Sequence, residues 1–249
     1  MSGQAVAISP RLDSVHPGIG IVAPFDLALD RELWRWTPGH VSLYLTRTPH
    51  MDEPVSVDMA AALGDLTELG HACKAVSVPR PGATVYLCTS ASFINGLAGE
   101  ARLRDAMERA GARRALTTSG ALLEALQALA VRRLAVGTPY DADLTARLAD
   151  FLAEAGYETV GTSRMDLGAD IWRVSAGSVR ELVHAVPRAG AEAIFLSCTN
   201  LPTYEVIGEL EREVGVPVLS ANLVSMWAAL RAIDALPGDR PERLFRDAR

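Results

Sequence analysis

The sequence predicts an α/β protein of two pseudo-symmetric lobes, each a parallel sheet flanked by helices, with a functional site in the cleft between them. Short apolar runs alternate with segments of helical spacing, which favours parallel sheets covered by helices. An apolar run followed by Pro-aromatic-Asp occurs at residues 24–26 and 139–141, and one followed by Cys-Thr occurs at 88–89 and 198–199. In both halves roughly 60 residues separate the proline from the cysteine, about the length of two strand-helix units. This shared order indicates a duplicated half-domain.

The first lobe is predicted for residues 18–129. Its expected strands are 19–23, 41–46, 85–87 and 115–118, and its expected helices are 30–36, 57–74, 97–110 and 121–130. Gly111 is expected to end the third of these helices, and Ser119 to N-cap the fourth.

The second lobe is predicted for residues 130–221. Its expected strands are 134–137, 158–161, 193–197 and 216–219, and its expected helices are 144–155, 178–186 and 204–214, with Gly215 stopping the last. A final helix within residues 222–236 is expected to pack on the first lobe. Residues 1–17 and 237–249 are predicted to be tails, and the charged C-terminal one is expected to fray.

Composition excludes several classes of protein. The 249 residues are 49% hydrophobic with a net charge of −6 and no basic cluster, which disfavours nucleic acid and anionic membrane surfaces as partners. No apolar stretch approaches the roughly 20 residues of a spanning helix, and the N-terminal segment lacks the pattern of a signal peptide. We therefore expect a cytoplasmic protein. Three cysteines without CxxC spacing predict neither a disulfide framework nor a metal site, so the thiols are expected to be free.

The two Cys-Thr pairs carry the predicted chemistry. Ligands collect at the carboxyl ends of parallel strands, where Cys88 and Cys198 both fall. A helix is expected to follow each thiol directly, and its free N–H groups should lower the thiol pKa and attract a substrate carboxylate. Two thiols on opposite faces of a bound carbon could exchange its proton without a cofactor. Alternatively, one thiolate could add to a double bond and leave after rotation.

Several of these residue types also have ordinary structural roles. A single cysteine at a strand end is most often a small buried hydrophobe, and this is our interpretation of Cys73. Asp141 is interpreted as a helix cap or turn residue. The five histidines show no spacing that indicates a metal site or a catalytic pair.

Residues 85–90 (VYLCTS), 138–140 (TPY) and 195–201 (FLSCTNL) resemble the aspartate/glutamate racemase superfamily. The pattern looks nearest to the branch that contains maleate cis-trans isomerases, arylmalonate decarboxylases and racemase-like proteins of ectoine utilisation. The resemblance implies cofactor independence, with Cys88 and Cys198 as the catalytic pair. The resemblance also predicts that Thr89, Ser90, Thr199 and Tyr140 bind the substrate. Alignment on maleate isomerases adds Asp26 and Asp170 as predicted substrate-binding residues. Three more are predicted from their places in the chain: Pro24 and Ser119 past strand ends, and Asn200 in the second Cys-Thr loop.

Departures from the family pattern bear on the reaction. Arylmalonate decarboxylases resemble this chain but carry glycine where Cys88 stands, so two thiols favour an isomerase or racemase. Maleate isomerases look as though they hold their dicarboxylate with asparagines near the places of Asp26 and Asp170. Carboxylates there would suit an amino-acid-like or N-acyl substrate. A decarboxylase and a non-catalytic carboxylate-binding protein are the alternatives, and a homodimer is compatible with the sequence.

Overall fold

A computed structural model describes residues 17–248 and contains two four-stranded sheets in which every pairing is parallel. The first sheet comprises β1 (Gly18–Ala23), β2 (Ser42–Arg47), β3 (Ala83–Tyr86) and β4 (Ala115–Thr117), and the second β5 (Arg133–Thr138), β6 (Glu158–Arg164), β7 (Ala193–Leu196) and β8 (Val218–Ser220). The orders are β2-β1-β3-β4 and β6-β5-β7-β8. Because the second order repeats the first, the predicted two-lobed α/β fold is confirmed.

Helices cover the sheets in the predicted alternation. They are α1 (Asp30–Trp36), α2 (Val57–Leu63), α3 (Leu66–Ser77), α4 (Thr89–Phe93), α5 (Gly96–Arg109), α6 (Thr118–Ala128), α7 (Ala142–Glu154), α8 (Ala176–Ala185), α9 (Ile207–Val214), α10 (Ala221–Ala232) and α11 (Arg243–Asp247). Gly215 caps α9 in the left-handed region, at φ 76°, as predicted.

The single helix predicted for residues 57–74 is wrong, because two helices occupy this stretch. The carboxylate of Asp65 accepts hydrogen bonds from the amides of Thr67 at 2.8 Å and Glu68 at 2.9 Å, and so caps a new helix, α3. Apolar spacing continues through the break, which hid it in the sequence. The break matters because it frees α2 to lie over the carboxyl end of the first sheet.

Helix α10 follows β8 and packs against α6, α1 and β3 of the first lobe. Its Ser225 hydroxyl donates to Thr118 Oγ1 of α6 at 3.0 Å. No helix within residues 17–248 is long and apolar enough to cross a membrane. The predicted N-terminal tail falls almost entirely outside the described residues.

The prediction that residues 237–249 fray is wrong for the described part of that segment. Helix α11 buries Leu244 and Phe245, and the indole of Trp227 donates to the carbonyl of Ala248 at 3.2 Å. The buried carboxylate of Glu211 accepts from the amide of Arg243 at 3.0 Å. A charged segment therefore packs here through two apolar side chains and a buried acceptor.

Candidate active site

Cys88 and Cys198 occupy equivalent places in the two lobes. Each is the second residue after a strand, and β3 and β7 hold the same position in their sheets. Cys88 N-caps the short helix α4. The duplicated motif therefore places one thiol from each lobe at the cleft.

Both thiols line a single small cavity with a volume of about 20 Å³, room for about one water molecule. The first lobe and the second contribute polar groups, and four apolar side chains close one wall. The lining residues are Pro24, Asp26, Val55, Met59, Leu63, Cys88, Thr89, Ser90, Tyr140, Ile171, Cys198, Thr199 and Asn200. All predicted site residues except Ser119 and Asp170 are therefore brought together.

Ser119 lies inside α6 and is fully buried away from the cavity. Its hydroxyl is 2.7 Å from that of Ser92 and donates to the carbonyl of Thr89 at 3.2 Å. The predicted N-cap role belongs instead to Thr117, whose hydroxyl accepts from the amide of Gly120 at 2.9 Å. The helix starts before the expected position, so substrate contact by Ser119 is not supported by this geometry.

Asp170 also lies outside the cavity. It is exposed, adopts a left-handed backbone at φ 54°, and its carboxylate lies 3.8 Å from the guanidinium of Arg173. The next residue, Ile171, begins a 3₁₀ turn and lines the cavity. This turn directs the aspartate toward solvent.

The apolar wall of the cavity was not predicted from the sequence, because its residues carry no chemically active groups. Val55, Met59 and Leu63 come from α2 and the loop before it, and Ile171 comes from the second lobe. The amide of Val55 donates to the carbonyl of Gly168 at 2.8 Å, which joins the two lobes beside the cavity. In the sequence, only the apolar face of α2 indicates that these residues line the cavity.

The Cys88 thiol is buried at the start of α4. Burial raises its pKa to about 11, although the amide of Ala91 and the hydroxyl of Ser90 favour the thiolate. The Ser90 hydroxyl lies 3.8 Å from the sulfur. The expectation of a lowered thiol pKa is therefore wrong for Cys88, because loss of water outweighs the local donors.

The Cys198 thiol follows the same pattern in a different backbone. Burial raises its pKa to about 12, while the amide of Asn200 and the hydroxyl of Tyr140 oppose that rise. The Asn200 amide donates to the sulfur at 3.4 Å. The helix expected directly after Cys198 is absent from the described chain, since α9 begins only at Ile207.

Cys198 has a positive φ of 85°, an unusual conformation for a residue other than glycine. Such a backbone persists only where surrounding contacts hold it. The Cys198 carbonyl accepts from the amide of Leu201 at 3.2 Å. Further along the same loop, the carboxylate of Glu32 in α1 accepts from the amides of Thr203 at 2.8 Å and Tyr204 at 3.0 Å and from Asn222 Nδ2 at 3.0 Å. The same Asn222 nitrogen donates to the carbonyl of Thr199 at 3.0 Å. Glu32 and Asn222 therefore position the Cys198 loop.

The two repeated aspartates have different environments. The Asp141 carboxylate caps α7, accepting from the amide of Leu144 at 2.8 Å, as its interpretation predicted. Asp26 instead lines the cavity, and burial raises the pKa of its carboxyl. The side chain of Asn200 spans the lobes there, donating to the Asp26 carbonyl at 3.1 Å and accepting from the amide of Ala28 at 2.8 Å.

We expect iodoacetamide to alkylate Cys88 and Cys198 of the free protein at pH 7.5 at least about 100-fold more slowly than a peptide thiol. Their raised pKa values leave a smaller thiolate fraction than the ordinary value near 8.5 allows. The rate should rise about tenfold per pH unit from pH 8 to 10, as the thiolate fraction does. Mass spectrometry of labelled peptides measures this, with urea-unfolded protein as the control. A rate that levels off below pH 8 would contradict the assigned environments.

Comparison with known proteins places this geometry among enzymes that act on small acids. The model of the arylmalonate decarboxylase family matches residues 66–241. Arylmalonate decarboxylase of Bordetella bronchiseptica is 36% identical over 201 residues, which make up 74% of this chain and 82% of that protein. Maleate isomerase of Nocardia farcinica is 27% identical over 169 residues, 64% of this chain and 67% of that one. A liganded arylmalonate decarboxylase carrying one glycine-to-cysteine and one cysteine-to-serine change has a TM-score of 0.83 at 29% identity, covering 92% of this chain and 98% of that one.

Proposed function

The chain belongs to the arylmalonate decarboxylase family, and we propose that within this family it is a cofactor-independent isomerase or racemase that inverts a small carboxylic acid with two thiols. One observation carries the proposal: Cys88 and Cys198, from opposite lobes, line the same cavity. A one-thiol decarboxylase has no use for the second sulfur at this place.

In the proposed reaction one thiolate takes the proton from the carbon next to the substrate carboxylate. The C–H electron pair moves into the carboxylate to form an enediolate, and the opposite thiol then gives its own proton to the other face. The first sulfur ends as a thiol and the second as a thiolate, so charge and protons balance. Turnover of the opposite enantiomer starts from this state, in which the second sulfur is the thiolate.

Hydroxyl donors in the cavity support carboxylate and enediolate binding. Thr89, Ser90 and Thr199 all line it. Within the described residues the buried Thr89 Oγ1 has no hydrogen-bond partner, an arrangement that leaves one donor for a ligand. Donors aimed at a developing enediolate stabilise it more strongly in a site that excludes water.

A decarboxylase is the second candidate, and two observations favour it. The family model that matches the chain describes arylmalonate decarboxylases, and the 36% identical relative is an arylmalonate decarboxylase. In addition, burial holds both thiols in the protonated form that an enediolate left by loss of carbon dioxide would need as a proton donor.

The two reactions are separated by incubating the protein in deuterated water with single enantiomers of α-substituted carboxylic acids, with maleate and with aryl- and alkylmalonates. The proposal expects deuterium at the carbon next to the carboxylate together with loss of optical activity. Conversion of maleate to fumarate would instead indicate the covalent route, in which one thiolate adds to the double bond and leaves after rotation. Carbon dioxide release from malonates, with one deuteron retained and no racemisation, would establish the decarboxylase instead. No turnover of any of these acids would contradict both and leave a carboxylate-binding protein.

A further inference from the structure

We propose that Asp26 binds a positively charged amino group of the substrate, so that the site takes an ammonium-bearing carboxylic acid in preference to a dicarboxylate. This inference rests on the proposed function, whose cavity it concerns. Three observations support it: the composition of the cavity wall, the position of Asp26, and the different role of Asp141, its counterpart in the other lobe.

The cavity wall has one site for a cation and several for an anion. Of the described residues that line it, Asp26 alone carries a carboxyl group, and none carries a basic side chain. The hydroxyls of Thr89, Ser90 and Thr199 supply the donors for one carboxylate. A second carboxylate in so small a space would approach Asp26 without a cation to compensate it, whereas an ammonium group would find its only acidic partner there.

Asp26 is held in place and is not neutralised by the protein. Its carbonyl is bound by the Asn200 side chain at 3.1 Å. Arg47, whose charge opposes the rise of the Asp26 pKa caused by burial, donates to the carbonyls of Leu27 at 2.5 Å and Phe25 at 3.3 Å. Within the described residues it makes no ion pair with Asp26. Asp26 therefore lines the cavity with a carboxyl group that no ion pair within the described residues occupies.

The duplicated position in the second lobe shows that an aspartate here need not face the ligand. Asp141 is the counterpart of Asp26, and its carboxylate is occupied by capping α7. The cavity thus has one acidic position and not two. A substrate ammonium group would lie beside Asp26, and the substrate carboxylate would lie among the hydroxyls.

The charge of Asp26 also acts on both sulfurs. Its negative charge opposes ionisation of Cys88 and of Cys198. An ammonium group bound beside Asp26 cancels that repulsion, so a cationic substrate makes the proton-abstracting thiolate easier to form. A dicarboxylate would add to the repulsion.

The test is direct binding, which does not depend on turnover. Racemic α-amino acids with small, polar and aromatic side chains are titrated by calorimetry against their 2-hydroxy analogues and the matching substituted malonates. The wild-type protein should bind the best amino acid about 10-fold or more tightly than its hydroxy analogue, because a charge-assisted hydrogen bond is lost in the analogue. The malonate should bind most weakly.

Asp26→Asn should remove this preference and strengthen malonate binding by about 10-fold, because it removes the charge at nearly constant volume. Asp141→Asn is the matched control, since asparagine is also a good N-cap and the order of affinities should not change. Circular dichroism checks that both variants fold.

Three results would overturn the inference: an unchanged order in Asp26→Asn, tightest wild-type binding of a malonate, or no binding of any amino acid. Amino-acid binding without turnover would instead count against the two-thiol reaction alone. Turnover of a dicarboxylate with no amino-acid binding would count against Asp26 alone.

Discussion

Replacing Cys88 or Cys198 by serine should lower the proposed racemisation by about 10²- to 10⁴-fold, the usual contribution of a positioned acid or base. A serine hydroxyl is far less acidic than a thiol, so it can neither hold the negative charge nor return the proton at neutral pH. Polarimetry of a single enantiomer, combined with NMR detection of deuterium at the reacting carbon, measures the loss.

Cys73 provides the control for this experiment. It is buried in α3, outside the cavity, so Cys73→Ala should leave turnover unchanged. A two-thiol mechanism makes a further distinction, because each serine variant keeps the thiol that serves one enantiomer. Deuterium exchange of that enantiomer should persist in part while racemisation is lost. Normal racemisation by either variant would show that the second sulfur has no part in the reaction.

Glu32→Ala should lower the free energy of unfolding by about 2–4 kcal/mol and reduce kcat by about 10-fold or more. The change leaves the amides of Thr203 and Tyr204 and one amide proton of Asn222 without their acceptor. These three hydrogen bonds are only partly buried, so the loss of each costs about 0.5–1.5 kcal/mol. The loop that follows Cys198 then loses its link to α1. Urea denaturation and steady-state kinetics measure the two effects.

Glu205→Ala is the matched control for Glu32. Glu205 lies on the same side of the molecule and pairs with Arg35, but its side chain is 69% exposed. An exposed ion pair contributes about 0–1 kcal/mol, so both measurements should stay close to wild type. Equal effects of the two substitutions would show that Glu32 does not position the loop.

The architecture was accessible from sequence because its signals are local and occur twice. Buried strands such as β3 and β7 are continuous apolar runs, and the repeated Pro-aromatic-Asp and Cys-Thr motifs revealed the duplication. The break between α2 and α3 was not accessible, since a single capping aspartate ends an otherwise continuous periodicity. The packing of the C-terminal segment was also not predicted, because its two buried side chains, Leu244 and Phe245, lie among many charged residues and form no recognisable apolar pattern.

The site was predictable where it depends on strand ends and unpredictable where it depends on tertiary contacts. Cys88, Cys198 and their threonines follow strands of equal position, and parallel topology brings such residues together. Glu32 acts on a loop about 170 residues further along the chain, and no spacing rule connects them. The thiol pKa values were mispredicted because helix donors can be read from a motif, but the extent of burial cannot.

The hydrogen bond between Val55 and Gly168 has a kinetic consequence. The cavity beside it has room for about one water molecule, so an organic acid needs more space than this arrangement of the wall provides. We therefore expect ligand binding to include a movement that widens the cavity at this wall. At high ligand concentration the observed association rate should reach a plateau set by opening, and that plateau should be the same for good and poor ligands.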